Sequence, residues 1–142
     1  MHRESEMKLV FFYGLFMDET LLREKGVNPL KPILAFVENF GLRIGERATI
    51  VKSDGERAYG LIMSLSEQDL NILYGDKSVA DYIPENIIAI NSSNESINVI
   101  SYNLPLEKLS GQNKQYAESL TIVAKKVGLP TKYVNEIQRW IN

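Results

Sequence analysis

The sequence predicts one α+β domain over residues 1–142, built on a mixed, strongly curved, barrel-like sheet with short helices and a helical C-terminus. Three observations predict it. A β-branched and aromatic run opens the chain, closely spaced strand-like runs fill residues 33–65, and two amphipathic stripes at helical spacing occupy 116–142. Strands this close together form meanders or barrels, and 142 residues can bury a core without disulfide or metal staples.

Lys8-Leu9-Val10-Phe11-Phe12-Tyr13 is nearly continuously apolar and ends at Gly14, the pattern of a central strand buried on both faces. Asp18 reads as the N-cap of a helix of about two turns, with Glu19 in its first turn, Leu21 and Leu22 facing inward and Gly26 as its stop. Asn28-Pro29 and Lys31-Pro32 punctuate a loop. Strands are expected at 33–38, 41–45, 48–52 and 57–65, with Ser53-Asp54-Gly55 as a hairpin turn. Ser66-Glu67-Gln68-Asp69 resembles a capping box, and Leu70, Leu73 and Tyr74 give a short amphipathic helix ended by Gly75.

Two further strands, 82–90 and 97–103, form a hairpin about the polar turn 91–95. Ala117, Leu120, Val123, Ala124 and Val127 make the first terminal helix, stopped by Gly128. Pro130 bars its continuation, Thr131 is suited to the next cap, and Tyr133, Val134, Ile137, Trp140 and Ile141 form a second stripe, the packing face of an amphipathic helix. Residues 1–7 read as a flexible polar leader.

Composition narrows the chemistry. The chain has no cysteine, which removes disulfides, thiolate catalysis and cysteine-ligated metal. Its one histidine, His2, lies in the leader, so a histidine metal site or a Ser-His-Asp triad lacks material, and no metal site is expected. A net charge of -2 gives no reason to expect nucleic acid or an anionic membrane as partner. The apolar run 9–12 is far shorter than the roughly 20 residues a membrane span needs. It lacks the features of a signal peptide, so the cytoplasm is the expected compartment.

The first segment able to carry chemistry is Tyr13-Gly14-Leu15-Phe16-Met17-Asp18, a strand running through glycine into a helix start. Such a junction can leave backbone N–H groups to hold a carboxylate or phosphate, although glycine also serves ordinary turns.

This segment resembles the opening of γ-glutamylcyclotransferase-like proteins, whose first strand ends in Tyr-Gly-Ser-Asn-Leu or Tyr-Gly-Thr-Leu-Met before a helix. Later blocks agree in order: residues 35–44, Ala48-Thr49-Ile50-Val51, the run Gly55-Glu56-Arg57-Ala58-Tyr59-Gly60-Leu61-Ile62, and 66–73, which is similar to the helix before the family's Leu-Asp-x-x-Glu-Gly. The end around Gly128-Leu129-Pro130-Thr131-Lys132-Tyr133 is similar too, so the resemblance covers nearly the whole chain.

The resemblance implies the γ-glutamylcyclotransferase-like fold and a cofactor-free reaction, in which a glutamyl α-amine attacks its own γ-carbonyl and 5-oxoproline and an amine are released. A proton acceptor, a donor for the leaving nitrogen and a mould for the substrate carboxylate would suffice. The mould implied is Tyr13, Gly14, Leu15, Phe16 and Met17, with Tyr82 and Tyr102 as phenol partners for a small γ-glutamyl or amino-acid-like ligand. Leu15 and Phe16 stand where the family usually has Ser or Thr and Asn or Leu, which removes a side-chain hydrogen bond.

One alignment puts Lys77 at the family's Glu position, and a one-residue gap puts Asp76 there; Asp81 is a third candidate. Asp76 is the chemically suited acid/base. Tyr59 and Tyr74 are assigned to packing. Beside the cyclotransferase stand two alternatives: an inactive fold relative that binds an amino-acid-like or acyl ligand, and an interaction module whose terminal helices meet a partner or form a homodimer.

Overall fold

The computed structural model describes residues 7–141, the side chains of 78 and 141 excepted; most of the leader, with His2, and Asn142 lie outside them. Strand β1, Met7–Phe12, already contains Met7, which pairs with Ser66 and is not part of a leader. Val10, Phe11 and Phe12 are buried, as a central strand requires, whereas Met7 and Leu9 at its start are exposed.

Two long strands follow, β2 over Leu30–Ile44 and β3 over Ala48–Ser66, in place of the four expected. Their reversal is at Gly45-Glu46-Arg47, where the Gly45 N–H donates to the Arg47 carbonyl at 2.8 Å. Ser53-Asp54-Gly55 is not a hairpin turn. The register passes from Glu38 opposite Arg57 to Phe40 opposite Lys52, so residues 53–56 bulge out against Asn39 alone. The bulge holds because Gly55 and Asn39 both adopt positive φ, 85° and 63°, and the Gly55 N–H donates to Asn39 Oδ1 at 3.0 Å. The local chemistry of a turn is present, but the chain bends and goes on.

Strands β4, Ile83–Asn91, and β5, Ser96–Asn103, form the expected hairpin. The order β1-β3-β2-β4-β5 closes into a barrel; among the described residues its one parallel seam joins β1 to β5 at Val10 and Ile100. Closure leaves no open sheet edge and buries one core that includes Phe11, Ile50, Ile62, Met63, Ala89 and Val99.

Helix α1, Glu19–Glu24, starts at the Asp18 cap, whose carboxylate accepts the Thr20 N–H at 3.0 Å. Helix α2, Glu67–Tyr74, is capped by Ser66 as expected, but Asp69 does not complete a capping box: its Oδ2 accepts the Asn28 N–H at 3.1 Å. Helix α3, Lys114–Val127, buries Ala117, Leu120 and Ala124 and packs on α4, Thr131–Gln138. Pro130, not Thr131, takes the N-cap position of α4, with no side-chain cap. Tyr133, Val134 and Ile137 of the second stripe are buried, whereas Trp140 is exposed. Among the described residues no helix is long and apolar enough to cross a membrane.

Candidate functional site

The end of β1 opens on a cavity of about 310 Å³ whose walls come from segments far apart in the chain. Phe11, Phe12, Tyr13, Gly14, Leu15 and Phe16 form one side. The far side is Leu73, Tyr74 and Asp76 after α2, with Tyr82 before β4, Tyr102 in β5 and Tyr116 in α3. Lys25 and Arg47 bring two cations to it.

The structure thus brings together seven of the eight residues singled out in the sequence: Tyr13, Gly14, Leu15, Phe16, Asp76, Tyr82 and Tyr102. Met17 is the exception. It is fully buried beneath a 3-10 turn over Leu15–Met17, does not line the cavity, and its N–H is engaged by the Gly14 carbonyl at 3.0 Å.

The turn after Tyr13 is shaped by contact. A Cβ at Gly14 would lie 2.7 Å from the Tyr116 hydroxyl, inside van der Waals distance, so glycine there makes room for a side chain from α3. The Leu15 N–H faces that same hydroxyl outside bonding geometry, so a phenol O–H stands beside one of the backbone donors expected to meet a substrate carboxylate.

Aromatic contacts fix the walls. Phe12 and Phe16 meet edge to face at 6.1 Å, Phe16 and Tyr74 at 5.8 Å, and Tyr74 stacks on Tyr102 at 3.9 Å and 11°. Tyr74, assigned to packing from the sequence, does pack here, and it also lines the cavity. Tyr13 donates its O–H to the Tyr102 carbonyl at 2.8 Å, and Tyr82 donates to the Ala48 carbonyl.

Burial keeps these phenols neutral. It pushes Tyr82 up to about 12, against the pull of the nearby Arg47 cation, and holds Tyr13, Tyr74 and Tyr116 above the ordinary tyrosine range as well. They offer hydrogen bonds and apolar surface at neutral pH, not charge.

Of the three acid/base candidates, Asp76 lines the cavity and Lys77 and Asp81 do not. Asp81 is paired to Arg47 at 3.6 Å and to Lys108 at 3.8 Å. Asp76 sits in the loop between Gly75 and the 3-10 turn Lys77–Val79, its backbone carbonyl accepting the Val79 N–H at 3.1 Å, and its side chain is exposed at the cavity rim. Among the described residues no group of three His, Cys, Asp or Glu side chains could hold a metal.

Sequence reasoning missed Tyr116, Arg47 and Lys25. Tyr116 reads as the first position of an amphipathic stripe, Arg47 belongs to a reversal hidden by the stronger turn signal at 53–55, and Lys25 looks like an ordinary helix-end cation. A bare spacing pattern carries no sign that the three meet.

A closed, mixed five-stranded barrel with short helices and a helical C-terminus, opening on an aromatic cavity at the end of its first strand, defines the class of α+β barrel to which this chain belongs. More particularly, the chain has the γ-glutamylcyclotransferase-like fold, as its sequence led one to expect. A solved γ-glutamyl cyclotransferase superposes with a TM-score of 0.78 at 20% identity, over 94% of this chain and 87% of that one. A γ-glutamyl cyclotransferase specific to glutathione, from yeast, gives 0.70 at 11% identity, over 98% and 96%. An AIG2-like protein from Mus musculus gives 0.60 at 15% identity, over 81% and 94%. No protein-family model matches the sequence, and no curated protein is significantly similar to it.

Proposed function

We propose that the cavity binds a γ-glutamyl amine or peptide and that Asp76 moves the protons for its cyclisation. The observation that carries this reading is that Asp76, the Tyr13-to-Phe16 turn and Tyr82 line one cavity. In the reaction, the α-amine nitrogen of the glutamyl group bonds to the γ-carbonyl carbon, the amide C–N bond breaks, and 5-oxoproline and the free amine leave. Asp76 takes the proton from the attacking amine and returns it to the departing nitrogen. The Tyr116 hydroxyl and the backbone at Gly14 supply hydrogen bonds to the glutamyl carboxylate.

A second reading, binding without turnover, is favoured by one observation: the Asp76 side chain is exposed at the rim. A carboxylate open to solvent is less suited to moving protons inside a cavity than a sequestered one. The test is 5-oxoproline release from a panel of γ-glutamyl amines, dipeptides and glutathione, for the native protein beside Asp76→Asn, with calorimetric titration of the same ligands. Turnover lost in Asp76→Asn with binding retained is the expected result. Binding without release from any substrate supports the second reading, and neither binding nor release overturns both.

A further inference from the structure

We infer a second ligand site, for a small anion carried on a planar aromatic ring, in the groove between the β2–β3 bulge and α4. Its volume is about 510 Å³, and none of its lining residues is shared with the cavity described above. One wall is Arg43, Glu56, Arg57 and Tyr59; the other is Lys132, Glu136, Arg139 and Trp140.

Charge is the first argument. Arg43 and Glu56 neutralise each other across two contacts, 2.9 and 3.3 Å, and the Arg43 guanidinium, helped by the Ser53 hydroxyl, holds the Glu56 carboxyl below the usual range. That leaves Arg57, Lys132 and Arg139 facing Glu136 within the groove. Arg57 is steadied from outside it, by Glu38 at 3.4 Å and by the Phe36 ring 4.3 Å from its guanidinium. With Glu38 set against Arg57 as Glu56 is against Arg43, Lys132 and Arg139 outweigh Glu136 by one positive charge, on a chain whose net charge is -2.

Aromatic surface is the second argument. Tyr59 and Tyr133 meet at 4.9 Å in the groove, and Trp140 is 42% exposed at its edge, although Tyr133, Val134 and Ile137 of the same stripe are buried. An exposed indole flanked by cations offers stacking to a ring whose anionic group meets lysine and arginine.

An unpaired polar atom is the third. The Tyr133 hydroxyl is buried without a hydrogen-bond partner, the Tyr59 N–H facing it outside bonding geometry. A buried hydroxyl left so destabilises the folded chain, and a polar group entering the groove, directly or through water, would offset that.

Trp140 is the chain's one tryptophan, so intrinsic fluorescence reports on this groove. The experiment titrates the full chain with phenyl phosphate, with benzyl alcohol as the uncharged ring and inorganic phosphate as the ringless anion, and repeats the titration by calorimetry. Saturable quenching by phenyl phosphate is expected, with both controls at least about tenfold weaker. Lys132→Glu and Arg139→Glu, each checked for folding by circular dichroism, should weaken phenyl phosphate by about tenfold. Asp76→Asn should leave it unchanged, which separates this site from the cavity. No saturable binding, equal binding by the charge-reversed variants, or loss of binding in Asp76→Asn would overturn the proposal.

Discussion

The Tyr116 hydroxyl lies 2.7 Å from the point where a side chain at Gly14 would begin, and the Leu15 N–H faces it. A helix from the C-terminal third of the chain therefore sets the shape of the turn that ends the first strand.

From that contact, Gly14→Ala should displace the buried Tyr116 ring and destabilise the fold by about 1–3 kcal/mol, the usual cost of overpacking. Tyr116→Phe removes the clashing oxygen, so the double variant should lose less than the two single changes together. Urea unfolding of the three variants measures this as a coupling of about 0.5–3 kcal/mol. Strict additivity would mean that the two residues do not share the constraint.

Arg47 lines the cavity with its side chain 31% exposed and tied to Asp81. If the cavity takes a γ-glutamyl peptide, Arg47→Ala should raise KM about two- to fivefold for ligands whose leaving part carries a carboxylate, the range of a partly exposed ion pair. Uncharged γ-glutamyl amides should be unaffected, and the difference should shrink as salt is raised. Equal losses for both ligand types would argue that Arg47 acts only through packing on Tyr82.

Alkaline pH gives a third expectation. An unfolded tyrosine ionises near 10.0, whereas burial moves Tyr82 to about 12 and raises Tyr13, Tyr74 and Tyr116 too. Well below pH 10 these four phenols are protonated in both states and their contribution to stability is complete. Above that the unfolded chain releases protons first, so stability falls steadily as pH climbs toward 12. Urea midpoints followed with phenolate absorbance across this range check the sign. A midpoint that stays constant from neutral pH to 12 would contradict the burial of these rings.

Much of the fold was legible because it rests on local periodicity. The opening strand, the Asp18 and Ser66 caps, the β4–β5 hairpin and both terminal helices follow from patterns within short windows. The bulge was not legible: Ser53-Asp54-Gly55 has hairpin chemistry, and only the distant partner Asn39 makes it a bend within one strand. The cavity divides in the same way. Its first wall is a contiguous motif and could be read, whereas Tyr116 and Arg47 reach it by tertiary packing that no spacing records.

The β1–β5 seam bears on timing. Barrel closure joins Val10 to Ile100, and the Tyr13 O–H reaches the Tyr102 carbonyl across 89 residues of sequence. Contacts of that separation bring their reward only after most of the chain entropy has been lost, so they form late and open early. The turn at Gly14 lies directly beyond the seam. A chain with every other strand paired would lack the seam that holds Tyr13 and Tyr102 together in the cavity wall, so competence at this site is tied to completion of the barrel, and hydrogen exchange at the β1 amides that face β5 would report both.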